Sequence, residues 1–147
     1  MPVIYWQWDD SLALGIDVID AQHRRIVDYI NELHAAKQMN SQDQVSTVLA
    51  GLRDYTRTHF VFEEEVMKQS GYPLTEAHKR VHDAFVLNIE HYVQQHESGK
   101  DVTAKLLSEL QIWLTNHIRR DDQDYAACVS RMTQGTWIQR TLRRFFG

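Results

Sequence analysis

The chain has 147 residues, 43% hydrophobic and 24% charged, enough for one domain with a real apolar core and short for two. A formal net charge of -4 offers no concentrated basic face, so no nucleic-acid partner is expected. The single cysteine, Cys128, allows no internal disulfide, and the sequence has neither a secretory leader pattern nor the ~20-residue apolar run of a transmembrane segment, which together predict a cytoplasmic protein.

An aromatic arm carrying Tyr5, Trp6 and Trp8 opens the chain. Apolar residues then recur at Ile16, Ile19, Ile26, Val27, Ile30 and Leu33, the three- and four-residue spacing of a helix, and His23 lies in the same series. Ser41 with Gln44 forms a capping-box pattern for a second helix, with Val45, Val48, Leu49, Leu52, Tyr55, His59, Phe62 and Val66 on one face, ending near Gln69. Gly71 and Pro73 mark a turn, and Thr75 is the expected N-cap of a third helix whose inward stripe is His78, Val81, His82, Phe85, Ile89, Tyr92 and Val93. Ser98 and Gly99 stop it. Asp101 is the expected cap of a fourth helix that buries Leu106, Leu107, Leu110, Trp113, Leu114, His117 and Ile118.

Four amphipathic helices with short connections predict an all-α fold, an up-down-up-down antiparallel four-helix bundle with an N-terminal aromatic arm. Residues 1–131 are assigned to the bundle and 132–147 to a basic C-terminal extension. Gly135 is expected to end the fourth helix, and Thr136 with Gln139 to open a short C-terminal amphipathic helix carrying Ile138, Leu142, Phe145 and Phe146. Arg131, Arg140, Arg143 and Arg144 give this tail its charge. Docking on the bundle is its expected fate, with a protein partner or an anionic membrane surface as the other destinations.

His59 with Glu63, and His78 with His82, are spaced i, i+4, which places each pair on one helix face a turn apart. The turn between them folds the pairs back on each other. Bundle topology brings His23, near the start of the first helix, and His117, late in the fourth, to the same end. Five imidazoles and two carboxylates on inward faces are costly to bury unless a metal compensates them. They exceed the four ligands of one zinc and suit two metals sharing bridging carboxylates, with iron, manganese and zinc all compatible with the donors. The second carboxylate stays open on geometry: from His117, Asp121 lies about 40° round an ideal helix and Asp122 about 140°.

The segments GIDVIDAQH (15–23), HFVFEE (59–64), HKRVH (78–82) and HIRRDD (117–122) strongly resemble the hemerythrins, in particular the single-domain bacterial ones, over about residues 5–131. That resemblance implies two non-haem iron ions bridged by oxo or hydroxo, with dioxygen as ligand. His78, His82 and His117 would hold one iron and His23 and His59 the other, with Glu63 and Asp122 bridging. Choosing Asp122 over Asp121 requires a local π-bulge in the fourth helix. Phe60, Trp113, Leu114 and Ile118 match the family's dioxygen pocket, and Tyr125 is a candidate neighbour of the site. His34, His91 and His96 are expected to be non-ligands, and Glu64 and Glu65 a solvated face.

The implied function is reversible dioxygen binding for storage, delivery or sensing, by a monomer that is not an enzyme. The alternatives on the same scaffold are a di-iron enzyme handling peroxide or nitric oxide, and an iron-holding module.

Overall fold

A computed structural model describes residues 4–130 and 135–146. Helices α1 (Asp17–Gln38), α2 (Gln42–Ser70), α3 (Thr75–Glu97) and α4 (Thr103–His117) form the expected four-helix bundle, and the described residues include no strand. After His117 the fourth helix passes through a π-helical turn, Ile118–Asp122, into α5 (Gln123–Ser130). A last helix, α6, spans Gly135–Phe146. No described helix is long and apolar enough to cross a membrane.

Several boundaries follow from local chemistry as expected. Ser41 Oγ accepts from the Gln44 backbone N–H at 3.2 Å, relieving one of the unpaired donors of the first turn of α2. Gly71 closes that helix with φ 75°, a left-handed conformation that a Cβ would strain. The aromatic arm is pinned by a reciprocal pair of hydrogen bonds, the Trp6 N–H to Asn31 Oδ1 and Asn31 Nδ2 to the Trp6 carbonyl, each 2.8 Å.

Other boundaries depart from the sequence reading. Thr75 is the first residue of α3 and Leu74 occupies the cap position without a side-chain bond; the tight turn draws the Thr75 hydroxyl back to the Tyr72 carbonyl at 2.7 Å. Asp101 does not cap α4, because the helix starts one position late for its carboxylate to reach the free N–H groups, and Val102 holds the cap position. Gly135 opens α6 rather than ending the helix before it, which puts Thr136 inside α6; a glycine costs little in a first turn whose N–H groups are unpaired anyway. Residues 131–134 lie outside the described residues.

The core has two parts. The first joins α1, α2, α3 and α4 through Ile30, Leu33, Leu49, Leu52, Ile89, Leu106 and Leu110, and reaches Phe60, Leu114 and Ile118. The second packs Ile16 and Ile19 of α1 against Phe62, Val66 and Met67 of α2, Tyr125 and Val129 of α5, and Ile138 of α6. Leu142, Phe145 and Phe146 lean on it from α6. Phe60 of the first cluster and Tyr125 of the second touch opposite members of a polar set that lies between them.

Candidate metal centre

Seven buried polar side chains converge between the two clusters. His23 comes from α1, His59 and Glu63 from α2, His78 and His82 from α3, His117 from the end of α4, and Asp122 from the π-helical turn; none is more than 5% exposed. One potential ligand atom from each of Glu63, His78, His82, His117 and Asp122 lies within a sphere suited to a metal ion, and His23, His59 and Glu63 form a second such group. Glu63 belongs to both.

Asp122 spans the two groups as well. Its Oδ1 is 3.1 Å from His78 Nε2 and 3.2 Å from His117 Nε2, while its Oδ2 is 3.2 Å from His23 Nε2. Glu63 Oε1 is 3.0 Å from His59 Nε2 and 3.5 Å from His82 Nε2. The extra residue in the π-helical turn carries Asp122 round to this inward position, where an unbroken α-helix would have pointed it away. Asp121 remains close to His117 but on its outer side, with Oδ2 2.9 Å from Nδ1.

Three outer ring nitrogens are held in the same way. The Nδ1–H groups of His59, His82 and His117 donate to Gln22 Oε1 at 2.6 Å, Glu64 Oε2 at 2.8 Å and Asp121 Oδ2 at 2.9 Å. An amide oxygen only accepts and a carboxyl group always has an oxygen that accepts, so each Nδ1 keeps its proton and each Nε2 is turned toward the cluster. His82 Nε2 and His117 Nε2 are 3.1 Å apart, a contact between two lone pairs unless a cation or proton lies between them. Glu64 therefore departs from the solvated role expected for it. Burial is the largest influence on its carboxyl and raises it to about 7.

The electrostatics keep both shared carboxylates anionic. Burial and the neighbouring Asp122 oppose ionisation of Glu63, but His59 and His82 prevail and lower it to about 2. Burial opposes Asp122 too, and the charge of His117, with the close approach of the His23 and His78 rings, holds it well below the usual carboxylate range. Burial pushes His82 down to about 2, whereas at His117 burial is outweighed by Asp122 and the ring rises to about 9. A proton on His117 thus occupies a position that a cation can take.

Tyr125 is fully buried and its hydroxyl donates to Glu63 Oε2. Burial raises its pKa well above the ordinary value, with the Glu63 and Asp122 charges adding to the effect, so it stays a donor. On the opposite side Phe60 stacks on His82 at 3.8 Å and Trp113 on His117 at 4.4 Å. Phe60, Trp113 and Leu114 share a small enclosed apolar cavity, whereas Ile118 is buried beside it without lining it.

The donor set fits a cation. His23 Nε2, His78 Nε2, Glu63 Oε1 and both Asp122 oxygens are buried without a hydrogen-bond partner, a costly arrangement that coordination would relieve. The three other histidines are engaged elsewhere or exposed: His34 packs on Tyr5 at 5.1 Å, His96 Nε2 meets Ser46 Oγ at 2.7 Å, and His91 faces solvent.

Sequence reasoning did not assign Gln22 or Glu64, which adjoin ligand-type residues in the chain but act across helices. For Asp121 a signal existed, since the i, i+4 spacing places it beside His117. It points to the outer nitrogen.

The sequence pattern of the family described as "Hemerythrin HHE cation binding domain" matches residues 14–129. The bacteriohemerythrin of Stenotrophomonas maltophilia is 45% identical over 95% of this chain and 97% of its own, and that of Pseudomonas aeruginosa is 40% identical over the same shares. A solved wild-type hemerythrin is 29% identical with a TM-score of 0.81, covering 86% of this chain and 98% of that one. With the family pattern spanning the bundle and every motif of the converging set, the chain is a member of the hemerythrin family.

Proposed function

We propose that this protein binds dioxygen reversibly at a non-haem di-iron centre held by His23, His59, Glu63, His78, His82, His117 and Asp122. The observation that carries the reading is the convergence of five imidazoles and two shared carboxylates, all buried and several without any other partner. His78, His82 and His117 would hold one iron and His23 and His59 the other, with Glu63 and Asp122 shared between them. The iron pair, when bound, supplies the two electrons and the open position that reversible dioxygen binding needs.

The chain's own residues do the rest. Gln22, Glu64 and Asp121 fix three rings so that Nε2 faces inward. Tyr125 directs a hydroxyl proton at Glu63 Oε2 and so sets the orientation of that carboxylate. Phe60, Trp113, Leu114 and Ile118 form the apolar wall that keeps water and protons from the ligand pocket, which disfavours loss of a reduced oxygen species and permanent oxidation of the metal. Two carboxylates among seven donors give little anionic support to high-valent iron, so the site favours binding over cleavage of dioxygen. We place the protein in the cytoplasm as a monomeric carrier or store, consistent with its free Cys128.

Reconstitution with ferrous iron under argon, followed by air and then argon, tests this directly. A coloured form that appears in air and fades on removal of oxygen is expected, with two irons per chain. Immediate irreversible oxidation with turnover of peroxide or nitric oxide would instead make the protein an enzyme, and stable iron without an oxygen response would make it an iron-holding module.

A further inference from the structure

We propose that α6 is a stopper on the carboxylate side of the metal centre, and that its docking sets how long the metal pair is retained and stays reduced. The inference rests on the ligand set proposed above. It concerns a helix that lies beyond residue 129, where the family pattern ends.

The placement of α6 carries the argument. Phe62, immediately before Glu63, is fully buried, and its ring meets Phe146 at 5.9 Å and Phe145 at 6.5 Å, both edge-on. Tyr125, the donor to Glu63, belongs to the same cluster as Phe62 and Ile138. Leu142 and Phe146 also border a shallow cavity with Val18, Gln22 and Tyr55, directly outside the Gln22–His59 hydrogen bond. The helix thus lies behind two separate supports of the centre, one at Glu63 and one at His59. Among the described residues its polar ties to the bundle are slight, Thr141 Oγ1 lying 3.4 Å from Gln69 Oε1 and Arg144 Nη1 3.5 Å from Glu65 Oε1, beside a contact between the Phe146 and Tyr55 rings at 5.7 Å.

A 12-residue helix has little stability of its own in water, so α6 persists through the apolar face it buries. A short terminal helix held by one apolar face opens before the whole domain does. Opening here uncovers Phe62 and Tyr125 and gives water a path to Glu63, on the side opposite the Phe60 and Leu114 wall. The bundle helices stay packed throughout.

The test compares the full chain loaded with ferrous iron with a Leu142→Ala/Phe146→Ala variant, a chain ending at Ser130, and an Arg140→Ala/Arg143→Ala control on the exposed face of α6. Three rates are read: hydrogen exchange of the amides of 59–67, release of iron to a ferrous chelator under argon, and autoxidation in air. With the bundle still folded, the double alanine variant and the shortened chain are expected to raise all three by about tenfold, and the arginine control by less than about twofold. Iron release and autoxidation that stay within about twofold of the parent in the shortened chain overturn the proposal. Should the shortened chain fail to fold, the double alanine variant decides by the same criterion. A parent chain that does not load two irons sinks the ligand reading and the stopper together, whereas a parent that loads them and variants that match it sink the stopper alone.

Discussion

The metal centre is enclosed by two walls of different chemistry. The wall of Phe60, Trp113 and Leu114 offers only rings and methyl groups, two of the rings stacked flat on the imidazoles of His82 and His117. The wall of Phe62 and Tyr125 is just as buried but carries a hydroxyl that donates to Glu63. The first excludes water and leaves the electronics of the site to the metal; the second also determines where a carboxylate lone pair points. Both belong to one folded body, yet each should fail in its own way.

The largest effect is expected between the walls, where Asp122 meets three imidazoles. Asp122→Ala should abolish binding of the second iron and leave buried imidazoles without their counter-charge. Asp121→Ala should still bind two irons, with affinity lower by about 10- to 100-fold, because only the outer nitrogen of His117 loses its partner. Iron counting by colorimetric assay separates the two, and two irons in Asp122→Ala but not in Asp121→Ala would reverse the roles given to these neighbours.

Breaking the first wall comes next. Leu114→Asn should cost about 2 to 5 kcal/mol of stability in denaturant titrations, as a core truncation with a polar group added. It should also speed autoxidation, by placing an amide in the cavity that Phe60 and Trp113 share. Leu114→Met keeps volume and apolarity and should leave autoxidation near the parent rate. An unchanged rate in the asparagine variant would remove Leu114 from the barrier to water.

Acid tests the layer between the walls by competition. The His117 ring is raised to about 9 by Asp122 against the opposing effect of burial, so below that pH the metal-free ring is protonated and must release its proton for coordination. Apparent metal affinity should therefore fall by about tenfold for each pH unit lowered below 9 from this group alone, with about one proton released per metal pair loaded at pH 7. Titration in weakly buffered solution reads both. Affinity independent of pH over this range would mean that His117 is already neutral before metal arrives.

The two walls also differ in how far they could be foreseen. The first is built from helix-periodic apolar positions, and the bundle and its converging histidines follow from the same periodicity, because short connections leave few ways to pack four amphipathic helices. The contributions of Gln22 and Glu64 were not legible. Both reach rings on other helices, and which neighbour an outward nitrogen meets depends on helix rotation, which spacing within one segment does not specify. The π-helical turn was anticipated only through the family motif, since ideal geometry favoured Asp121. The second wall was half visible: an amphipathic pattern announced α6, but the surface it would cover was a matter of tertiary packing.

Tyr125→Phe sharpens the comparison most finely, since it keeps the ring and removes one oxygen. The phenol stays protonated at neutral pH because burial and the Glu63 and Asp122 charges all raise its pKa. Its loss leaves Glu63 Oε2 without that donor, and a hydrogen bond to a charged group contributes about 1.5 to 3 kcal/mol. Because the ring still fills its place among Phe62, Val129 and Ile138, the wall remains closed. The variant should therefore lose stability and some metal affinity in denaturant and chelator titrations, while its autoxidation rate stays close to that of the parent. Leu114→Asn is expected to change autoxidation most. If Tyr125→Phe instead oxidises as fast as the Leu114 variant, the hydroxyl is part of the barrier itself, and the division between a wall that excludes water and a wall that orients charge would not hold.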